Sequence, residues 1–179
     1  CSHCGQFARD SAEGLKAMVA KGTVSYEFRP FLINPQDVPA ALLAACNGPA
    51  PFHAIAEGLF ADQANWNGAN IANLTQADQQ ALSTMSPLQA NQLVADKLGL
   101  IAFVGQRGIG PEKAKACLSD QAAVEALGAV TTNGQKQFEI TGTPTFIING
   151  GVVRDANTWE ALEPKLKAAG AGSRADQTP

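Results

Sequence analysis

The sequence predicts an α/β fold interrupted by a long helical block, on three observations. Cys1-Ser2-His3-Cys4 opens an amphipathic helical pattern. From about residue 36 to 137 the chain shows helix-start signals and helical stripes. Thr143-Pro144 then precedes a short apolar run, an Asn149-Gly150 turn and Val152-Val153-Arg154, the pattern of a hairpin.

Each element has a local reason. Over Ser2 to Lys21, Phe7, Ser11, Leu15, Met18 and Val19 share one helical face with Ala8 beside them, and Gly22 stops the helix. Val24 to Ile33 alternates apolar and polar residues before becoming wholly apolar. It reads as a strand ended by Asn34-Pro35. Within the block, Ser86-Pro87-Leu88-Gln89 is a capping box with proline at the first helical position. Leu93, Val94, Leu98 and Ile101 form its stripe. Thr75 to Asp78 is a weaker start, Gly110-Pro111 opens a helix reaching Cys117, and Ser119-Asp120 caps the next, with Val124, Leu127 and Val130 facing inward. Thr145-Phe146-Ile147-Ile148 reads as a buried strand. Asn157-Thr158-Trp159-Glu160 opens a last helix with Trp159, Leu162 and Leu166 on one face. His53 reads as a helix residue, Trp66 and Trp159 as core aromatics. The expected organisation is a discontinuous domain, 1–36 with 138–170, a helical insertion over 37–137, and a mobile tail over 171–179.

Composition narrows the function. A chain of 179 residues, 45% hydrophobic, can bury a core. Its net charge of −3 and the lack of any basic run argue against nucleic acid as a partner. Apolar stretches such as Leu98–Val104 are too short to span a bilayer.

The chemistry concentrates in the cysteines. A Cys-x-x-C pair serves either two-electron thiol–disulfide exchange or half of a zinc site. At a helix start, unpaired N–H groups and the dipole stabilise a Cys1 thiolate, and such positions bring cysteine pKa values down to about 3.5–7.5. His3 adds a donor or cation beside it. Cys4, one turn on, is the more buried resolving thiol. A stabilised thiolate leaves well, which makes the disulfide form the stronger oxidant. Proline fits poorly within a regular strand, so Thr143-Pro144 reads either as a trans proline at a strand start or as a cis turn. The cis turn would expose Thr143 backbone groups to pair with an extended peptide. Cys46 and Cys117 are compatible with small buried residues or with a second pair, and an even cysteine set weakly favours an oxidising compartment.

Cys-x-His-Cys on a helix start, a helical insertion, then Gly-Thr-Pro-Thr-Phe-Ile-Ile-Asn-Gly before a hairpin and helix resembles the DsbA-type thiol–disulfide oxidoreductases of the thioredoxin superfamily. Arg29-Pro30-Phe31-Leu32-Ile33-Asn34-Pro35, with Cys46, Phe60, Gln63 and Trp66, resembles the bacterial branch with a second cysteine pair. The resemblance covers about Cys1 to Ala168. It implies a thioredoxin-like fold with a large helical insertion, Cys1 as nucleophile, Cys4 as its partner and His3 as thiolate stabiliser. It also implies a cis Pro144, Thr143 as the substrate-pairing residue, and a structural Cys46–Cys117 disulfide. The same resemblance implies a periplasmic or otherwise exported monomer without bound cofactor. Such a protein oxidises unfolded exported polypeptides and is reoxidised by a membrane quinone-coupled partner. Ser2 stands where many members have proline, and Thr143 where many strong oxidases have an apolar residue, so isomerase or reductase work by the same pair is the alternative. Members carry a strand before the active-site helix, and its counterpart is expected upstream of Cys1.

Three rival readings start from the same cysteines. An N-terminal-nucleophile hydrolase needs strands after its nucleophile, yet a helix follows Cys1. A lipoprotein needs a polar tether, yet Phe7 already begins a packed face. A zinc module needs a second close ligand pair beside Cys1 and Cys4. A chaperone-only protein of this architecture would have little use for both cysteines.

Overall fold

The computed structural model describes residues 1–171 and divides into two compact units. One comprises Cys1–Arg29 and the segment from Asn133 onward; the other is Pro30–Thr132. The boundaries fall before Pro30 and inside the helix over Gln121–Phe138. Of the expected tail over 171–179, Ala171 closes the final helical turn and 172–179 lie outside the described residues.

The discontinuous unit begins with α1 (Ser2–Ala20), which buries Gly5, Phe7, Ser11 and Met18. Val19, placed on that face by its spacing, is 42% exposed; the buried stripe runs through Met18 beside it instead. Residues 24–33 join no sheet among the described residues, contrary to the expected strand. Their burial still alternates: Val24, Tyr26 and Phe28 are half-buried between exposed Ser25, Glu27 and Arg29. A pleat-like alternation needs only extended backbone, whereas a strand needs a ladder partner.

In the contiguous unit come α2 (Asp37–Ala45), α3 (Pro49–Ala61), a π-helical turn (Asn65–Ala69), α4 (Asn70–Ala72) and α5 (Gln76–Thr84). They are followed by α6 (Pro87–Lys97), α7 (Leu100–Gly105), α8 (Pro111–Leu118) and the start of α9 (Gln121–Phe138). Both expected capping boxes are present, Thr75 with Asp78 and Ser86 with Gln89. The Ser86 stripe, however, is divided between two helices. Gly99 adopts φ +75, which ends α6 and starts α7, so Ile101 belongs to the second. Leu43, Ile55, Leu98, Leu100, Val104 and Leu118 form the centre of this unit's core. Trp66 is buried there and donates its indole N–H to the Leu59 carbonyl at 2.7 Å.

The chain then returns to the first unit. β1 (Phe146–Ile148) and β2 (Gly151–Val153) pair antiparallel, Phe146 opposite Val153. The turn has φ +49 at Asn149 and +85 at Gly150, the two positive values a two-residue hairpin of this twist requires. β1 is not wholly buried, as Ile147 is 37% exposed while its neighbours turn inward. Thr158 caps α10 (Trp159–Leu166) by accepting the Ala161 N–H. Phe7, Ala156 and Leu162 are the buried centre, with Phe146, Ile148, Val153 and Trp159 around them.

Candidate active site

Cys1 is the N-cap of α1, and the Cys4 backbone N–H points at its Sγ from 3.1 Å. The orphan amides of a 19-residue helix therefore face the sulfur, as the sequence pattern requires. A disulfide joins Cys1 to Cys4, with Cα atoms 5.3 Å apart. Both cysteines are half-buried, so burial class does not separate nucleophile from resolving thiol. His3 is exposed, and its ring makes no hydrogen bond to any described residue.

Packing beneath α1 fixes this helix start. The Phe7 ring lies 4.4 Å from that of Phe146, centroid to centroid, and meets Trp159 edge-on at 6.4 Å. Gly14 lies against the Trp159 indole, whose Cε2 is 3.0 Å from where a side chain would begin. The helix carrying the cysteines is thus held to β1 and α10 by a small aromatic cluster.

From the other side comes the loop before β1. The Thr143–Pro144 peptide bond is cis, and the Thr143 carbonyl oxygen lies 3.4 Å from Cys1 Sγ. Residues 142 positions apart thus meet at one sulfur. The remaining two cysteines, Cys46 and Cys117, form a second disulfide in the helical unit, Cα atoms 5.7 Å apart. Among the described residues all four cysteines are thus held in disulfides.

A family model described as thioredoxin matches residues 1–168. The chain belongs to the thioredoxin family. A crystal structure of a protein-disulfide isomerase from Novosphingobium aromaticivorans matches this thioredoxin-family chain with a TM-score of 0.86 and 30% identity. The match covers 94% of this chain and 86% of that one. A Rickettsia typhi relative provisionally named a protein-disulfide oxidoreductase is 30% identical over 156 residues, 84% of this chain and 47% of that protein. Its Rickettsia conorii counterpart is 28% identical over 152 residues, 84% and 46% respectively. The chain spans about half the length of the curated relatives it matches. These likenesses establish a thioredoxin-like fold, mostly helical with a small two-stranded sheet.

The structure also brings forward residues that pattern reading passed over. Glu139, Arg154 and Asp155 line a groove that begins at Pro144. The only sequence signal there is the end of helical periodicity at Phe138, which marks a loop but says nothing about its chemistry.

Proposed function

We propose that this protein is a dithiol–disulfide oxidoreductase that introduces disulfides into exported, unfolded polypeptides through Cys1 and Cys4. The observation that carries the reading is a Cys-x-x-C disulfide at a helix start, with the carbonyl of Thr143, the residue before the cis proline, at its first sulfur. The names of the Rickettsia relatives and of the Novosphingobium structure support the same chemistry.

A substrate thiolate attacks Cys1 Sγ, the Cys1–Cys4 bond breaks, and Cys4 leaves as a thiolate that takes up a proton. A second substrate thiolate then attacks the substrate sulfur of the mixed disulfide and expels Cys1. The substrate loses two electrons and two protons, and the Cys1–Cys4 pair gains both. The Cys4 N–H and the α1 dipole stabilise the leaving Cys1 thiolate, which favours this direction. Thr143 backbone groups would hold the substrate as an added strand, and Cys46–Cys117 would staple the helical unit. On this reading the protein is a periplasmic monomer, reoxidised by a quinone-coupled membrane partner.

Isomerase work is the second reading, favoured by the name of the Novosphingobium structure. A redox titration against glutathione decides. A potential of about −120 mV supports the oxidase, about −180 mV the isomerase and about −270 mV a reductase. Absence of any Cys1–Cys4 redox equilibrium would refute the proposal.

A further inference from the structure

The turn that carries Thr143 to Cys1 is closed by a side chain. Thr145 Oγ1 donates to the Gly142 carbonyl, three residues back, at 2.7 Å. In an ordinary four-residue turn the backbone N–H of the last residue makes that bond. Among the described residues no backbone hydrogen bond joins Thr145 to Gly142, so the hydroxyl is the tie that draws the two ends together.

Those ends are held very differently. Thr145 leads directly into β1, where the Phe146 ring packs against Phe7 of α1, the helix that starts at Cys1. Gly142 is exposed, and a side chain built on it would meet nothing within 4 Å. Packing therefore fixes the Thr145 end of the turn and leaves the Gly142 end to the hydroxyl. Between them sits Thr143, its carbonyl oxygen 3.4 Å from Cys1 Sγ.

We propose that Thr145 is a positioning residue, whose hydroxyl holds the Thr143 backbone at Cys1, where a substrate polypeptide pairs. This rests on the redox reading of Cys1 and Cys4 and on Thr143 as the residue that receives substrate. Without the tie, Gly142 moves away from β1 and takes the Thr143 peptide unit with it. Misplacing a reacting group by about 1 Å is enough to slow a reaction. The same movement withdraws a carbonyl that disfavours negative charge on Cys1, so the thiolate forms more readily.

The test uses Thr145→Val, which keeps the side chain's branched shape and removes the donor, and Thr145→Ser, which keeps the donor. Each oxidised protein is given a peptide with two cysteines and, separately, dithiothreitol, which has no backbone to pair with Thr143. For the peptide, Thr145→Val should lower kcat/KM about two- to tenfold, mainly through KM, which is the worth of one hydrogen bond. With dithiothreitol its rate should change by less than about twofold, since no added strand takes part. In the reduced proteins, ultraviolet thiolate absorbance should show Cys1 of Thr145→Val ionising at lower pH than in wild type. Thr145→Ser should match wild type in both respects. Equal loss with peptide and dithiothreitol, or no loss with either, would overturn the inference, as would a Thr145→Ser protein that behaves like Thr145→Val. A shifted Cys1 titration with unchanged peptide kinetics refutes the substrate role of Thr143, and the proposal with it. If the wild-type pair reacts with neither thiol, the redox reading itself falls and takes the inference with it.

Discussion

At Cys1, two parts of the backbone compete for one sulfur: the Cys4 amide favours a thiolate, while the Thr143 carbonyl at 3.4 Å disfavours negative charge and would accept a thiol proton. The amide belongs to a whole helix and the carbonyl acts alone, so the thiolate should prevail. Replacing Cys4 with serine removes the resolving thiol. Mass spectrometry should then find the variant trapped as a mixed disulfide after the Cys1 thiolate attacks a disulfide-containing peptide and expels one of its thiols, while Cys1→Ser should form none. The cysteine pair was legible in the sequence because it is local: three residues of spacing put one sulfur at a cap and its partner one turn on. Thr143-Pro144 was legible as a turn of either isomer, since proline alone does not choose. What could not be read was the meeting of Thr143 with Cys1, which depends on how α1 packs.

Among the elements, α1 and α10 meet through a glycine. Alanine at Gly14 would gain about 1 kcal/mol of helix propensity but drive its methyl into the Trp159 ring. Overpacking costs about 1–3 kcal/mol, so Gly14→Ala should be destabilising on balance, as denaturant unfolding would show. At the start of α5, Thr75 caps by accepting the Asp78 N–H, and its loss to alanine should cost about 1 kcal/mol. Asp78 itself is gripped by Lys97 at 2.9 Å and by the Thr75 hydroxyl and N–H, which lower its pKa from 3.8 to about 2. A depressed carboxylate pKa stabilises the fold above its unfolded value. The contribution of Asp78 should therefore be complete above about pH 4 and lost as pH falls towards 2. An Asp78→Asn variant should show a flatter stability profile over that range. Helices were the most legible elements, because caps and stripes are written within a few residues of one another. The segment over 24–33 was misread because alternation reports which side chains turn inward, not whether a neighbour supplies the ladder.

Over the whole molecule, two units of different sequence logic share one chain. Pro30–Thr132 is contiguous, and the Cys46–Cys117 bridge closes a separation of 71 residues within it. Such a bridge restricts the unfolded chain by about 4 kcal/mol in the entropy model. A Cys46→Ser/Cys117→Ser protein should unfold at lower denaturant, with the loss largest in amide exchange of α2 and α8, the helices that hold or adjoin the two cysteines. The long helical stretch between α1 and the hairpin was legible from its caps and stripes, but no sequence signal marks the border that falls within α9, which runs through it without a break.

The same discontinuity orders the birth of the protein. The chain emerges amino end first, so Cys1 and Cys4 precede Thr143 by about 140 residues. At about 5–20 residues per second the gap lasts on the order of ten seconds. Through it the two sulfurs lack both the aromatic bed of Phe146 and Trp159 and the proline loop, and Cys46 and Cys117 emerge in the meantime as competing partners. A helical unit that finishes early and takes its own two cysteines out of circulation leaves Cys1 and Cys4 only each other, so the earlier pair waits on the later loop for its reactivity.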